Sequence, residues 1–254
     1  AGLPVHAQTW LGLSGDYRET ANWNPGVVPE MTTATAVFGA AGAANVSIAG
    51  TMHVGTFQFS NDAQAYTFDM DPSGELRFWE NGIVNGSAST QTINAGDVTF
   101  RGNSSAGNAI INSSGNVELW HPASGGNATF NIKGARSLLL TETASLDRAT
   151  VNLTGTASLD MHDSSSGGEA AISMGDISRL IFVDYALPGT TIGSLSGGGT
   201  VGLGARTSAV QLTIGGNHQS TTYYGIIRDN LSIVKTGSGT LTLAGNNGFS
   251  GGLT

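Results

Sequence analysis

Ala149-Thr150-Val151-Asn152-Leu153-Thr154-Gly155-Thr156-Ala157-Ser158-Leu159-Asp160-Met161 contains two short runs of alternating apolar and polar residues, parted by Thr-Gly-Thr. A strand turns successive side chains to opposite sides, so Val151 and Leu153 share one face, as do Leu159 and Met161, with Thr150, Asn152, Ser158 and Asp160 opposite. Neither run is long enough to bury its apolar face alone. The unit needs copies of itself.

Those copies are in the sequence. Ala109, Ala128, Ala149 and Ala170 follow one another at 19, 21 and 21 residues, each within a Gly-Asn-Ala, Asp-Arg-Ala or Gly-Glu-Ala triplet. The large apolar residues Ile111, Phe130, Val151 and Ile172 keep the same offsets, and Phe100, Leu119, Leu140, Met161 and Phe182 run at 19, 21, 21 and 21. Three tracks in one register, at a period of about 21 residues, specify stacked coils whose equivalent apolar residues form ladders. The expectation is an all-β parallel β-helix, a single-stranded solenoid. A leucine-rich repeat has a similar period, but only Leu241-Thr242-Leu243-Ala244-Gly245-Asn246 touches its consensus and the other coils lack a helical return.

Composition agrees. Hydrophobic residues make up 39% of the 254-residue chain, enough for a sizeable core, while charged residues are 11% against roughly 25% in ordinary globular proteins. The 38 glycines, with abundant Ser, Thr, Asn and Ala, suit strands and tight turns, and no window sustains a helical run. A net charge of −8 with lysine only at 133 and 235 argues against nucleic acid as a partner. Cysteine is absent, which suits a chain that must cross membranes unfolded. No apolar run approaches the roughly 20 residues of a spanning helix.

Both ends carry a family resemblance. Leu231-Ser232-Ile233-Val234-Lys235-Thr236-Gly237-Ser238-Gly239-Thr240-Leu241-Thr242-Leu243-Ala244-Gly245 closely resembles the passenger-associated repeat of bacterial autotransporters. Thr191 to Gly197, Thr200 to Gly204, Leu212 to Gly215 and Tyr224 to Ile227 are similar to the coils that precede it. Thr9-Trp10, Ala21-Asn22-Trp23-Asn24, Val28-Pro29 and Ala36-Val37-Phe38-Gly39 resemble the opening segment of such passengers. The resemblance implies a right-handed β-helix exported by type V secretion through the periplasm and outer membrane to the cell surface. It implies an adhesin or host-directed effector that acts as a monomer, binds a host cell-surface or extracellular-matrix protein or glycan, and is followed in the full-length protein by its own C-terminal β-barrel. The chain then divides into a signal-peptide remnant at 1–7, a capping segment at 8–60, irregular coils at 61–97, regular coils at 98–184 and C-terminal coils with the repeat, truncated, at 185–254.

Catalytic residues, cofactors and resident metals are not expected. Gly193-Ser194-Leu195-Ser196-Gly197 places Leu at the centre of a would-be nucleophile elbow. His6, His53, His121, His162 and His218 read as isolated surface residues. The speculative binding residues are Trp79 and Trp120, whose alternation against Phe78 and Leu119 turns them outward as stacking platforms, and Asp160 with His162, which share an outward face. The irregular stretch from Asp62 to Gln91 is the expected place for protruding binding loops. Two other functions fit such a fold: a β-helical carbohydrate-active enzyme, which needs paired carboxylates on neighbouring coils, and a structural stalk that presents another module.

Overall fold

The computed structural model describes residues 7–186, 189–205 and 209–254, so His6 and most of the expected signal remnant lie outside the described residues. The chain winds into a parallel β-solenoid of about 10 turns with ~21 residues per coil. Successive coils stack into a 12-stranded, a 10-stranded and a 3-stranded sheet, here face 1, face 2 and face 3. Helix among the described residues is confined to the 3-residue turn Thr20–Asn22. No helix of the described residues is long and apolar enough to cross a membrane.

Two of the three sequence tracks are columns of directly paired residues, and the alanines of the third are buried beside them. On face 2, Ile111 pairs with Phe130, Phe130 with Val151 and Val151 with Ile172. On face 1, Phe100, Leu119, Leu140, Met161 and Phe182 pair in that order. All nine side chains are buried and point into the solenoid. Because the backbone bonds join one coil to the next at a fixed spacing of about 4.8 Å, identical columns stack without gaps.

Each coil has a third corner that alternation does not reveal. Gly82, Ser105, Ser124, Ser145 and Ser166 form a column of single bridges. The serine hydroxyls accept the backbone N–H two residues on, from Gly107, Gly126, Asp147 and Gly168 at 3.0–3.1 Å. Those four residues have φ of 61°, 60°, 51° and 56°, a left-handed turn that explains why the track reads Gly, Gly, Asp, Gly. Asp147 offsets its strain by accepting hydrogen bonds from the Ser124 and Ser145 hydroxyls. In the last coils this corner lengthens into the full strands Gly189–Ile192, Val210–Ile214 and Leu231–Lys235.

The N-terminal end is closed by aromatic residues. Trp23–Asn24 pairs antiparallel with Ala7–Trp10 at the edge of face 1. Trp10 and Trp23 meet edge to face at 5.0 Å, and Tyr17 meets Trp23 at 4.8 Å. The fully buried Tyr17 hydroxyl donates to the Pro29 carbonyl at 3.0 Å, and burial pushes its pKa well up. This cap covers an edge that would otherwise recruit other chains.

The stretch 61–97, expected as irregular coils, carries strands set in coils of unequal length. Thr67–Met70, Glu75–Asn85 and Thr92–Ala95 are strands in the same columns, the second being 11 residues long. Their repeat escapes a fixed-period search because the coil from Phe68 to Ile93 takes 25 residues, its excess lying between Phe78 and Ile93, and because the turn between faces 2 and 1 shortens in the coils that follow. Paired interior residues define that turn: Leu138 follows Ile132, Leu159 follows Leu153 and Leu180 follows Met174 by six positions, but Val117 follows Ser113 by four and Val98 follows Ala95 by only three. The two clipped corners account for the 19-residue offsets and for the 18 residues from Ile93 to Ile111. They are possible because a Cβ on Gly96 would stand 2.5 Å from the Gly74 and Pro72 carbonyl oxygens, and one on Gly115 would overlap Asp97. Only glycine lets the backbones approach so closely.

Phe130 fills the middle of the face 2 column with no solvent exposure. Phe130→Ala is expected to cost about 3–5 kcal/mol, read as a fall in the urea midpoint. Gly126→Ala, which adds a Cβ 2.5 Å from the Gly107 carbonyl at positive φ, is expected to cost more than about 1 kcal/mol by the same measurement.

Candidate functional site

The outward residues of face 1 form their own columns. One step beyond the interior track Phe78, Phe100, Leu119, Leu140, Met161 stand Trp79, Arg101, Trp120, Thr141 and His162. The Arg101 guanidinium carbon lies 5.4 Å from the Trp79 ring centre and 4.6 Å from that of Trp120. Strands two rungs apart leave about 10 Å between equivalent side chains, which is the space a planar cation fills between two rings.

Polar neighbours hold this stack. Trp120 Nε1 donates to Glu118 at 2.7 Å, and Thr99 Oγ1 donates to Glu75 at 2.8 Å. Arg77 pairs with Glu75 on the same strand. The hydrogen bond from Arg77 is the main reason the Glu75 carboxyl sits below its ordinary value; Thr99 and the charges of Arg77 and Arg101 add to it, and partial burial opposes it. Trp79 Nε1 and Arg101 Nε are covered and have no acceptor among the described residues.

Both tryptophans point outward and are half-buried, while Phe78 and Leu119 are buried. Asp160 and His162 also face outward together on Ser158–His162, but two coils beyond Trp120. Asp160 accepts a hydrogen bond from Ser158 at 3.1 Å, and its column neighbours are Leu139 and Ile181. His162 lies beside Val183. The four expected residues therefore form two groups rather than one. Among the described residues no group of three or more His, Cys, Asp or Glu could hold a metal ion.

Arg101, the centre of the stack, was missed by a search for exposed rings. Its signal was its place one residue after Phe100, where Trp79 follows Phe78 and Trp120 follows Leu119. A second outward column was also missed. On face 2, Asn112 Nδ2 donates to Asn94 Oδ1, Asn131 to Asn112 and Asn152 to Asn131, each at 2.8 Å, and Asn94 donates to Asp69 at 2.7 Å. The asparagines sit at the outward position between Ile93 and Ala95 and its equivalents, where alternation says only that a polar residue is tolerated.

Compared with protein-family models, curated proteins and solved structures, the chain has no match.

Because Glu75 has a lowered pKa in the folded chain, its ionised form contributes stability above the ordinary glutamate value near 4.3, and that contribution fades as pH falls through the folded pKa. Glu75→Gln is expected to melt slightly lower than wild type at neutral pH and to lose less on acidification below about pH 4.3. Thermal melts across that range check it.

Proposed function

We propose that the chain is a stretch of a secreted, surface-displayed solenoid of the autotransporter passenger type, which acts as an adhesin or host-directed effector by binding a host surface or matrix component. The observation that carries the binding role is the Trp79–Arg101–Trp120 stack on the outer side of face 1. Rings and guanidinium groups are the side chains most often found at the energetic centres of interfaces, because they bury much area at small cost in side-chain freedom. Here the stack is preorganised: the arginine spaces the rings, and Glu118 and Glu75 hold its flanks.

Export and surface display rest on the resemblance of residues 231–245 and of the segment around Trp10 and Trp23 to passenger sequences. The regular coil stacking is compatible with that route, as is the lack of cysteine. The role requires no catalytic group. Asp160 and His162 then serve as a second polar contact area on the same face.

The purified chain is expected to bind host cells or immobilised matrix components, and the double variant Trp79→Ala/Trp120→Ala to bind at least about tenfold more weakly, a loss of about 1.4 kcal/mol, with its melting transition retained. Unchanged binding by the double variant would overturn the assignment to face 1. Polysaccharide cleavage abolished by Asp160→Ala would overturn the non-enzymatic reading.

A further inference from the structure

The clipped corners leave a recess. Where the turns after Ala95 and Ser113 are short, the corners before and after them project, and the notch between them is an open depression of about 450 Å³. That is within the range of small-molecule sites, roughly 300–1,000 Å³. Met70 and Pro72 form one wall, Lys133 and Gly134 the other, and Asn94, Asn112 and Asn131 run along the side between them. The floor is made of Ala95 and Ser113, small residues in a column that holds Met70, Ile132 and Leu153 in the neighbouring coils. Ser113 spends its hydroxyl on the Gly96 carbonyl at 2.5 Å, so the floor presents little of its own polarity.

The chemistry of the lining is specific. An asparagine amide has two N–H donors and two acceptor lone pairs. Asn112 and Asn131 each use one donor and one lone pair within the ladder. Each keeps one of both kinds, at a spacing of about 4.8 Å. Hydroxyls, which both donate and accept, satisfy such amide edges where an ionised carboxylate, which only accepts, leaves the free amide oxygens unused. Lys133 is exposed and its side chain has no hydrogen bond or ion pair shown among the described residues, so its ammonium can donate to a hydroxyl or ring oxygen. Asp69 anchors the ladder at one end and Asp97 receives the Asn116 N–H beside the clipped turn. No carboxylate lines the recess, but the Asp69 carboxylate that accepts from Asn94 at the end of the ladder offsets the single charge of Lys133 in the lining. The apolar wall of Met70 and Pro72 suits the C–H side of a sugar ring.

We infer that this recess is a binding site for a neutral saccharide unit, held by the free amide edges of Asn94, Asn112 and Asn131 and by Lys133, with its C–H face on Met70 and Pro72. It lies at the corner between faces 2 and 1, apart from the tryptophan stack, and does not depend on how the chain is displayed. The site lacks an aromatic platform, so the affinity is weak, with Kd near ~1 mM.

The test is saturation-transfer and 15N-shift NMR on the purified chain with cellobiose, maltose, lactose and N,N′-diacetylchitobiose as probes. Two variants leave the ladder intact: Lys133→Met, and Ser114→Trp, which fills the notch from an exposed position. At least one probe is expected to bind with shifts centred on Asn112 and Asn131, and binding is expected to weaken about tenfold or more in either variant while Trp79→Ala/Trp120→Ala binds normally. If Ser114→Trp does not fold, Lys133→Met carries the test. Failure of all four probes to bind the wild-type chain, or binding that survives Lys133→Met, would overturn the inference. So would binding lost only in the tryptophan variant, which would move the sugar to face 1. Loss of host-cell binding with saccharide binding intact, or the reverse, separates this site from the proposed adhesive face.

Discussion

The hydrogen bonds between successive coils are the constraint on which everything else depends. They fix the distance from one coil to the next, so a side chain at any position has its equivalents directly above and below it. A residue therefore belongs to a column before it belongs to a turn or a strand. Inside, a column must be apolar or have its polar members hydrogen-bonded; Phe100 to Phe182 on face 1 is apolar throughout. Outside, a column is free to vary, and chemistry accumulates where neighbours in it happen to complement one another. The cation between two rings and the row of amides are two outcomes of that freedom.

This explains which parts of the molecule could be read from its sequence. The interior columns were legible because burial leaves few choices, and alternation from Ala149 to Met161 shows which residues are inside. The coils at 61–97 were not, since a period search assumes constant turns, whereas the return from Phe78 to Ile93 is lengthened and the turns at Gly96 and Gly115 that follow are shortened by close backbone approach. The third corner was hidden for another reason. A single bridged serine has no alternation, and its only trace is the glycine or aspartate two residues on, whose left-handed φ is a backbone property.

The outer faces were half legible. Alternation turned Trp79, Trp120, Asp160 and His162 outward, as the structure has them, but gave no means of knowing which would meet. That depends on counting coils across turns of unequal length: with the correct count Arg101 falls between the tryptophans, and Asp160 falls between Leu139 and Ile181 instead of beside another acid. The Asn94, Asn112, Asn131, Asn152 series has spacings of 18, 19 and 21 residues, irregular by the same two clipped corners. A one-residue error in any turn would have reversed inside and outside from that point on.

The asparagine row also has a direction. Every amide in it donates toward the preceding coil, so the side-chain dipoles align along the solenoid axis with their positive ends toward the N-terminus, and the first donor meets the carboxylate of Asp69. Aligned amides polarise one another, and an anion at the positive end stabilises the whole row, much as an acidic residue does at the start of a helix. The members are for that reason unequal. Removing Asn94 would part three amides from their counter-charge, whereas removing Asn152 would only shorten the row. The solenoid thus carries, on a surface built largely from uncharged side chains, a polarity that runs through the coils from Asp69 to Asn152.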